Sequence, residues 1–200
     1  MTINNEYVKQ KVLGLLIEDP SMILLLKNKY ITDDVWEFCI EREPSLFKYM
    51  ENPSLQVCYF ALDQDGHNLK YIKNKFTEIK INRKMAYIAI RNCPKAIFYV
   101  PKTLLDDELK ELAFEQDPTL MESFDNVRPE FVEGLLLRNP SYIKFIKNPD
   151  EALVCKLLKD YPNIIVYFST ITNRMRETLE MYHPEILNLI PIQSTENSAN

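Results

Sequence analysis

The sequence predicts an all-α fold, an α-solenoid of about eight two-helix repeats of 22–28 residues, and two observations predict it. First, prolines and one glycine recur as anchors at Pro20, Pro44, Gly66, Pro94, Pro118, Pro140, Pro162 and Pro184, at intervals of 24, 22, 28, 24, 22, 22 and 22 residues. Second, apolar residues recur in register with those anchors. Three residues past them stand Ile23, Phe47, Leu69, Ile97, Met121, Ile143, Ile165 and Leu187; six past them stand Leu26, Met50, Ile72, Val100, Phe124, Ile146, Phe168 and Ile190. Five before them come Leu15, Cys39, Ala61, Ala89, Ala113, Leu135, Leu157 and Leu179. Four before, Leu16, Ile40, Leu62, Ile90, Phe114, Leu136 and Leu158 are apolar and only Glu180 is not. In a chain that is 46% apolar, columns this complete do not arise by chance.

Each unit reads as two short helices. The longer precedes the anchor, as in Thr32 to Arg42, where Thr32 is a candidate N-cap and Asp33 and Asp34 favour the positive helix end. Val35, Trp36, Cys39 and Ile40 then fall at helical spacing. The anchor proline starts a second helix of about two turns, where its missing N–H costs nothing and its fixed φ suits the first helical position. Asp19, Glu43, Asp65, Asp117 and Asn139 precede anchors, and Asp and Asn are good caps there. Helices this short need neighbours to bury a face, and equal units do so by stacking. The first unit (Asn5 to Leu26) and the last (Thr172 to Ile190) are expected to cap the ends, with Glu180 facing outward. The 28-residue interval places an insertion of about five residues near Lys73 to Lys80. Residues 1–192 are expected to form a single helical-repeat domain and 193–200 a flexible C-terminal tail.

The run Ala61-Leu62, Asp65-Gly66, Leu69-Lys70-Tyr71-Ile72 resembles the unit of a tandem short helical-repeat family of unknown function, found in bacterial, phage and giant-virus proteins. Such units carry an apolar helix, an Asn/Asp-Gly or Asn-Pro turn, and a Leu-x-Tyr helix. Asn92 to Val100 and Asn139 to Ile146 match less closely, and most units here have Pro where the Gly form is commoner. The resemblance implies a helical-repeat fold, brings no catalytic residues, and points to a phage or viral protein that acts on a host.

Several function classes are excluded by composition. Three glycines leave no G-x-G-x-x-G or Walker A motif. Apolar runs such as Met22 to Leu26 and Leu135 to Leu137 fall far short of a bilayer span, so no membrane is expected. Asn4, Asn5 and Glu6 come first and Lys9 and Lys11 break the next stretch, unlike a signal peptide. The expected location is the cytoplasm, the host's if the protein is viral. Cys39, Cys58 and Cys155 sit at apolar helical positions, and no C-x-x-C exists, so buried reduced thiols are expected. His67 and His183, 116 residues apart, offer no convergent zinc site. The same two would have to serve any nucleophile. His67 reads as a solvent-facing first-turn residue and His183 as a cap, and no nucleophile elbow surrounds Ser45, Ser54, Ser123 or Ser141. Asp33 with Glu37 and Asp107 with Glu111 are i, i+4 pairs on acidic helix faces. No enzyme activity, cofactor or metal is expected.

Two features point to binding. Five residues past the anchors stand Tyr49, Tyr71, Tyr99, Phe145 and Tyr167, a column at the edge of the buried face, suited to packing between units or to a partner. Charge is segregated: residues 70–102 carry +8 and residues 103–133 carry −8, in a chain of net −5. The basic block coincides with the irregular interval. The predicted contact region is therefore Tyr71, Lys73, Lys75, Lys80, Arg83, Lys84, Arg91, Lys95 and Tyr99. A protein partner with an acidic surface is expected, with an anionic ligand (nucleic acid or nucleotide) as the alternative. The acidic segment offers a third outcome, satisfying the block within the molecule or through self-association.

Overall fold

Helix starts and stops alternate along the chain at the repeat spacing. The structure, a computed structural model, describes residues 5–26, 31–76, 78–125 and 127–187, with side chains from residue 11 onward. Its α-helices are α1 (Asn5–Glu18), α2 (Asp33–Arg42), α3 (Leu55–Gln64), α4 (Leu69–Asn74), α5 (Arg83–Asn92), α6 (Asp107–Gln116), α7 (Pro129–Arg138), α8 (Glu151–Leu158), α9 (Asn173–Tyr182) and α10 (Pro184–Leu187). No strand occurs among the described residues, and the fold is all-α. None of these helices is long and apolar enough to cross a membrane.

After every anchor but Pro184, which begins α10, the second helix starts tighter than an α-helix. Pro20–Leu25, Pro44–Tyr49, Pro94–Tyr99, Pro118–Ser123, Pro140–Phe145 and Pro162–Tyr167 are six-residue 3-10 helices, and Gly66–Asn68 is a shorter one that runs into α4. Side chains three apart eclipse in this geometry, so residues three and six past an anchor share one face. That is why both columns are apolar. The residue six past the anchor closes the turn onto the one three past it: Met50 N–H donates to Phe47 O at 3.2 Å, Val100 to Ile97 at 3.2 Å and Ile146 to Ile143 at 3.1 Å.

Caps mostly follow the sequence. Asp19 accepts from Ser21 N, and Asn139 from Ser141 N. Thr32 occupies the N-cap of α2 but makes no capping bond; its hydroxyl donates to Asp34 instead, a competition open to any cap followed by an acid.

Burial tracks the columns. Ile23, Phe47, Leu69, Ile97, Met121, Ile143 and Ile165 are buried, whereas Leu187 in the last repeat is half-buried. Leu15 is 49% exposed, unlike its buried counterparts from Cys39 to Leu179, and Glu180 is exposed as expected. Six past the anchors, Met50, Ile72 and Val100 are buried while Leu26, Phe124, Ile146 and Phe168 are half-buried. Ile190 and the tail 193–200 lie outside the described residues.

Packing groups the chain into two compact units, Met1–Asp117 and Pro118–Asn200. In the first, α2 packs on α3, α3 on α5 and α5 on α6, and the second helices pack in the same succession from Pro44–Tyr49 through Gly66–Asn68 to Pro94–Tyr99. In the second, α8 packs on α9, and the 3-10 helices Pro118–Ser123, Pro140–Phe145 and Pro162–Tyr167 follow one another. Its core gathers Val132, Leu136, Ile143, Val154, Leu158, Ile165, Met175 and Leu179. The insertion is not merely a surface loop. Phe76 within it is buried and meets the Phe47 ring edge-on at 5.2 Å, adding apolar burial worth about 2–3 kcal/mol.

Candidate functional site

The elements that carry the basic segment are pinned by polar side chains. Asn68 is 1% exposed and donates from Nδ2 to Ala61 O at 3.0 Å and Pro44 O at 3.3 Å, so one amide satisfies carbonyls of two repeats. Asn82 caps α5 by accepting from Met85 N at 3.0 Å, and donates to the Tyr59 hydroxyl at 2.9 Å. On this frame the basic residues fall into two groups.

The first group is spent inside the molecule. Lys75 Nζ donates to Lys48 O at 2.7 Å and Met50 O at 2.8 Å, covering carbonyls at the end of Pro44–Tyr49. Arg83 Nε donates to Asp106 Oδ2 at 2.9 Å and its Nη2 to Glu108. Asp106 also caps α6 by accepting from Leu109 N at 2.9 Å. The Leu109 N–H chiefly, with Arg83 adding to it against the cost of burial, holds the Asp106 carboxyl below the usual carboxylate range. Arg83 is pushed above its ordinary value, first by the hydrogen bond to Asp106. Arg91 Nη2 donates to Asp63 Oδ1 at 2.6 Å, and Lys84 Nζ lies 4.8 Å over the Tyr59 ring. Arg83 and Arg91 lie at opposite ends of α5, about 12 Å apart along its axis. The acidic segment thus neutralises part of the basic block through Arg83.

The second group faces solvent. Lys73 on α4, Lys80 in the insertion and Lys95 on Pro94–Tyr99 are exposed and make no hydrogen bond or ion pair among the described residues. Tyr71 and Tyr99 are half-buried, as is Phe145, while Tyr49 and Tyr167 are 49% and 43% exposed. The aromatic column therefore lies at the core's edge, where its spacing put it. One feature went unread in the sequence. A lysine precedes the ring in Lys48-Tyr49, Lys70-Tyr71 and Lys144-Phe145, and Lys48 and Lys144 each lie 4.8 Å over the ring next in the chain. The repeated Lys-aromatic dipeptide was the available signal.

Two depressions are lined by residues of neighbouring repeats. One of about 360 Å³ is lined by Ile23, Ile31, Trp36, Tyr49 and Met50, and one of about 320 Å³ by Met121, Phe124, Val132, Ile146 and Leu153. Cys39, Cys58 and Cys155 are buried. Burial pushes the Cys39 thiol up to about 11, with Arg42 acting the other way, and Cys58 up to about 12, with Asp33 adding to it. His183 Nε2 donates to Lys159 O at 2.7 Å. Among the described residues no group of three His, Cys, Asp or Glu side chains is arranged to hold a metal ion.

Residues 55–105, from α3 to just past Pro94–Tyr99, match the model of a family described as a domain of unknown function (DUF4116). All nine predicted contact residues lie within that stretch. Neither a curated protein nor a solved structure matches the chain.

Proposed function

We propose that the protein is a non-enzymatic helical-repeat module that binds a protein partner with an acidic surface. The observation that carries this reading is in the first unit, where consecutive second helices each leave a tyrosine outside the core at one repeat position. Tyr49, Tyr71 and Tyr99 are those residues, and exposed Lys73 and Lys95, on the same two elements as Tyr71 and Tyr99, make no ion pair among the described residues. Tyrosine supplies contact area at low entropic cost, and unpaired lysines steer an acidic partner to it. The working surface is then Tyr71, Tyr99, Lys73, Lys80 and Lys95, while Lys75, Arg83 and Arg91 are engaged by partners in neighbouring repeats. Use by a phage or virus as an inhibitor or adaptor against a host protein is the form of this activity that the repeat resemblance favours.

The test is charge reversal of Lys73, Lys80 and Lys95 to Glu, with capture from host lysate in the presence and absence of nuclease. Arg83 is left alone because an acid in its place would face Asp106 and Glu108 and disturb the fold. A protein captured by the wild type, insensitive to nuclease and lost on reversal with helicity intact, is the expected result. Nuclease-sensitive, salt-dependent capture would support the anionic-ligand alternative instead.

A further inference from the structure

The one repeat anchored by glycine brings three reactive side chains together. Cys93 ends α5 and precedes Pro94. Against it lies Gly66, where a Cβ would stand 2.1 Å from Ala89 O and 2.9 Å from the Cys93 Cβ. The missing side chain lets this turn press onto the end of α5. Polar bonds hold it there: Gly66 N–H donates to Asn92 Oδ1 at 2.8 Å, and Asn92 Nδ2 donates to Asp63 O at 2.7 Å. The approach sets His67 Nε2 at 3.4 Å from Cys93 Sγ, with His67 Nδ1 at 3.0 Å from Asp65 Oδ1. His67 is solvent-exposed, as its sequence position predicts, but it is not idle.

The chemistry of the row is set by its acid. An ionised carboxylate only accepts, so Nδ1 carries the hydrogen donated to Asp65 and Nε2 turns its lone pair to the thiol. Asp65 is itself steadied, since its Oδ1 also accepts from His67 N at 2.9 Å. Carboxylate, imidazole and thiol in that order activate a nucleophile. The other three cysteines are buried, whereas Cys93 is partly open and the His67 side chain is 55% exposed. A metal is the poorer occupant, because Asp65 and Cys93 meet opposite ring nitrogens and do not converge on one point.

We propose that Asp65, His67 and Cys93 form a proton relay that makes Cys93 a thiol-exchange site for low-molecular-weight disulfides. The Sγ–H proton passes to His67 Nε2, and the thiolate attacks one sulfur of the disulfide. A new S–S bond forms to Cys93 as the old one breaks. The departing thiolate, now reduced, takes the proton from Nε2, and Cys93 is left oxidised in a mixed disulfide. Asp65 is a positioning residue that orients the ring and stabilises it while charged. Attack along the S–S axis needs access but no enclosed pocket.

The probe is dithiobisnitrobenzoate, whose released thiolate is coloured, with the modified cysteine located by mass spectrometry. In the native chain at neutral pH, Cys93 should react first. His67→Gln should slow it about ten-fold, since an ordinary thiol is only a few per cent ionised there. Asp65→Asn should slow it less, because Asn still caps residue 67. Added imidazole should restore the rate of His67→Ala at unchanged melting temperature, which a merely structural role would not allow. Equal Cys93 rates in wild type and His67→Gln would overturn the proposal, as would faster labelling of a buried cysteine. Should the variants unfold, the wild type decides alone: Cys93 must react faster in the native chain than in urea, and a slower native rate overturns the relay.

Discussion

The turns at Gly66 and Pro140 begin the same repeat element with opposite chemistry. At Pro140 the ring supplies the helical φ, Asn139 caps Ser141 N, and no N–H is needed. At Gly66 the N–H is retained and used, donating to Asn92 in the next repeat, and the space a side chain would fill is taken by Ala89 and Cys93. The proline turn is fixed by its own residues; the glycine turn has the equivalent cap from Asp65 but also depends on its neighbour. A locally determined turn tolerates change, and one determined by contact does not.

Gly66→Pro should break this contrast most severely. It drives ring atoms against the Ala89 carbonyl and deletes the donor to Asn92, at a cost of about 3 kcal/mol or more in chemical denaturation. Gly66→Ala keeps the donor and should cost about 1–3 kcal/mol. An unchanged midpoint for either would show that the close approach does not matter. Asn92→Ala should cost about 1 kcal/mol by releasing the tie while leaving both turns intact, and should also slow Cys93 by loosening its neighbour. Pro140→Ala should cost least of the turn changes, about 0.4–1 kcal/mol, mainly through the freedom gained by the unfolded chain.

The smallest effect concerns the tie between α5 and α6. The folded-state pKa of Asp106 is depressed, so its stabilisation is present above the unfolded value of about 4 and is lost as pH falls through the folded value. Asp106→Asn keeps a capping oxygen but not the charge facing Arg83. Wild type and variant should differ in denaturation midpoint at neutral pH and converge below the carboxylate range. A difference that persists in strong acid would mean the pair contributes through packing instead.

Much of the fold was legible because it depends on short-range rules. Proline anchors fix φ wherever they stand, and an apolar column marks the buried face of any regular helix, so Ile143 and Leu158 are as buried as their registers require. The 3-10 form of the second helices was not legible from periodicity, since spacings of three fit either helix type over so few residues. Nor was the use of the basic block. A run of +8 reads as one patch, yet Arg83 reaches Asp106, Arg91 reaches Asp63 and Lys75 covers carbonyls of the preceding repeat.

The order of residues alone specifies the repeat: its period, its helical character, its buried columns and the edge position of its aromatics. Packing in three dimensions assigns the roles of Gly66, Phe76, the paired arginines and the Asp65–His67–Cys93 row. Cys93 and His67 are 26 residues apart, and they meet only because one turn lacks a side chain and can approach the end of α5. Local preferences are written into each residue's own backbone and spacing. A contact one repeat away depends on how closely two elements pack, and that distance is set by every side chain between them.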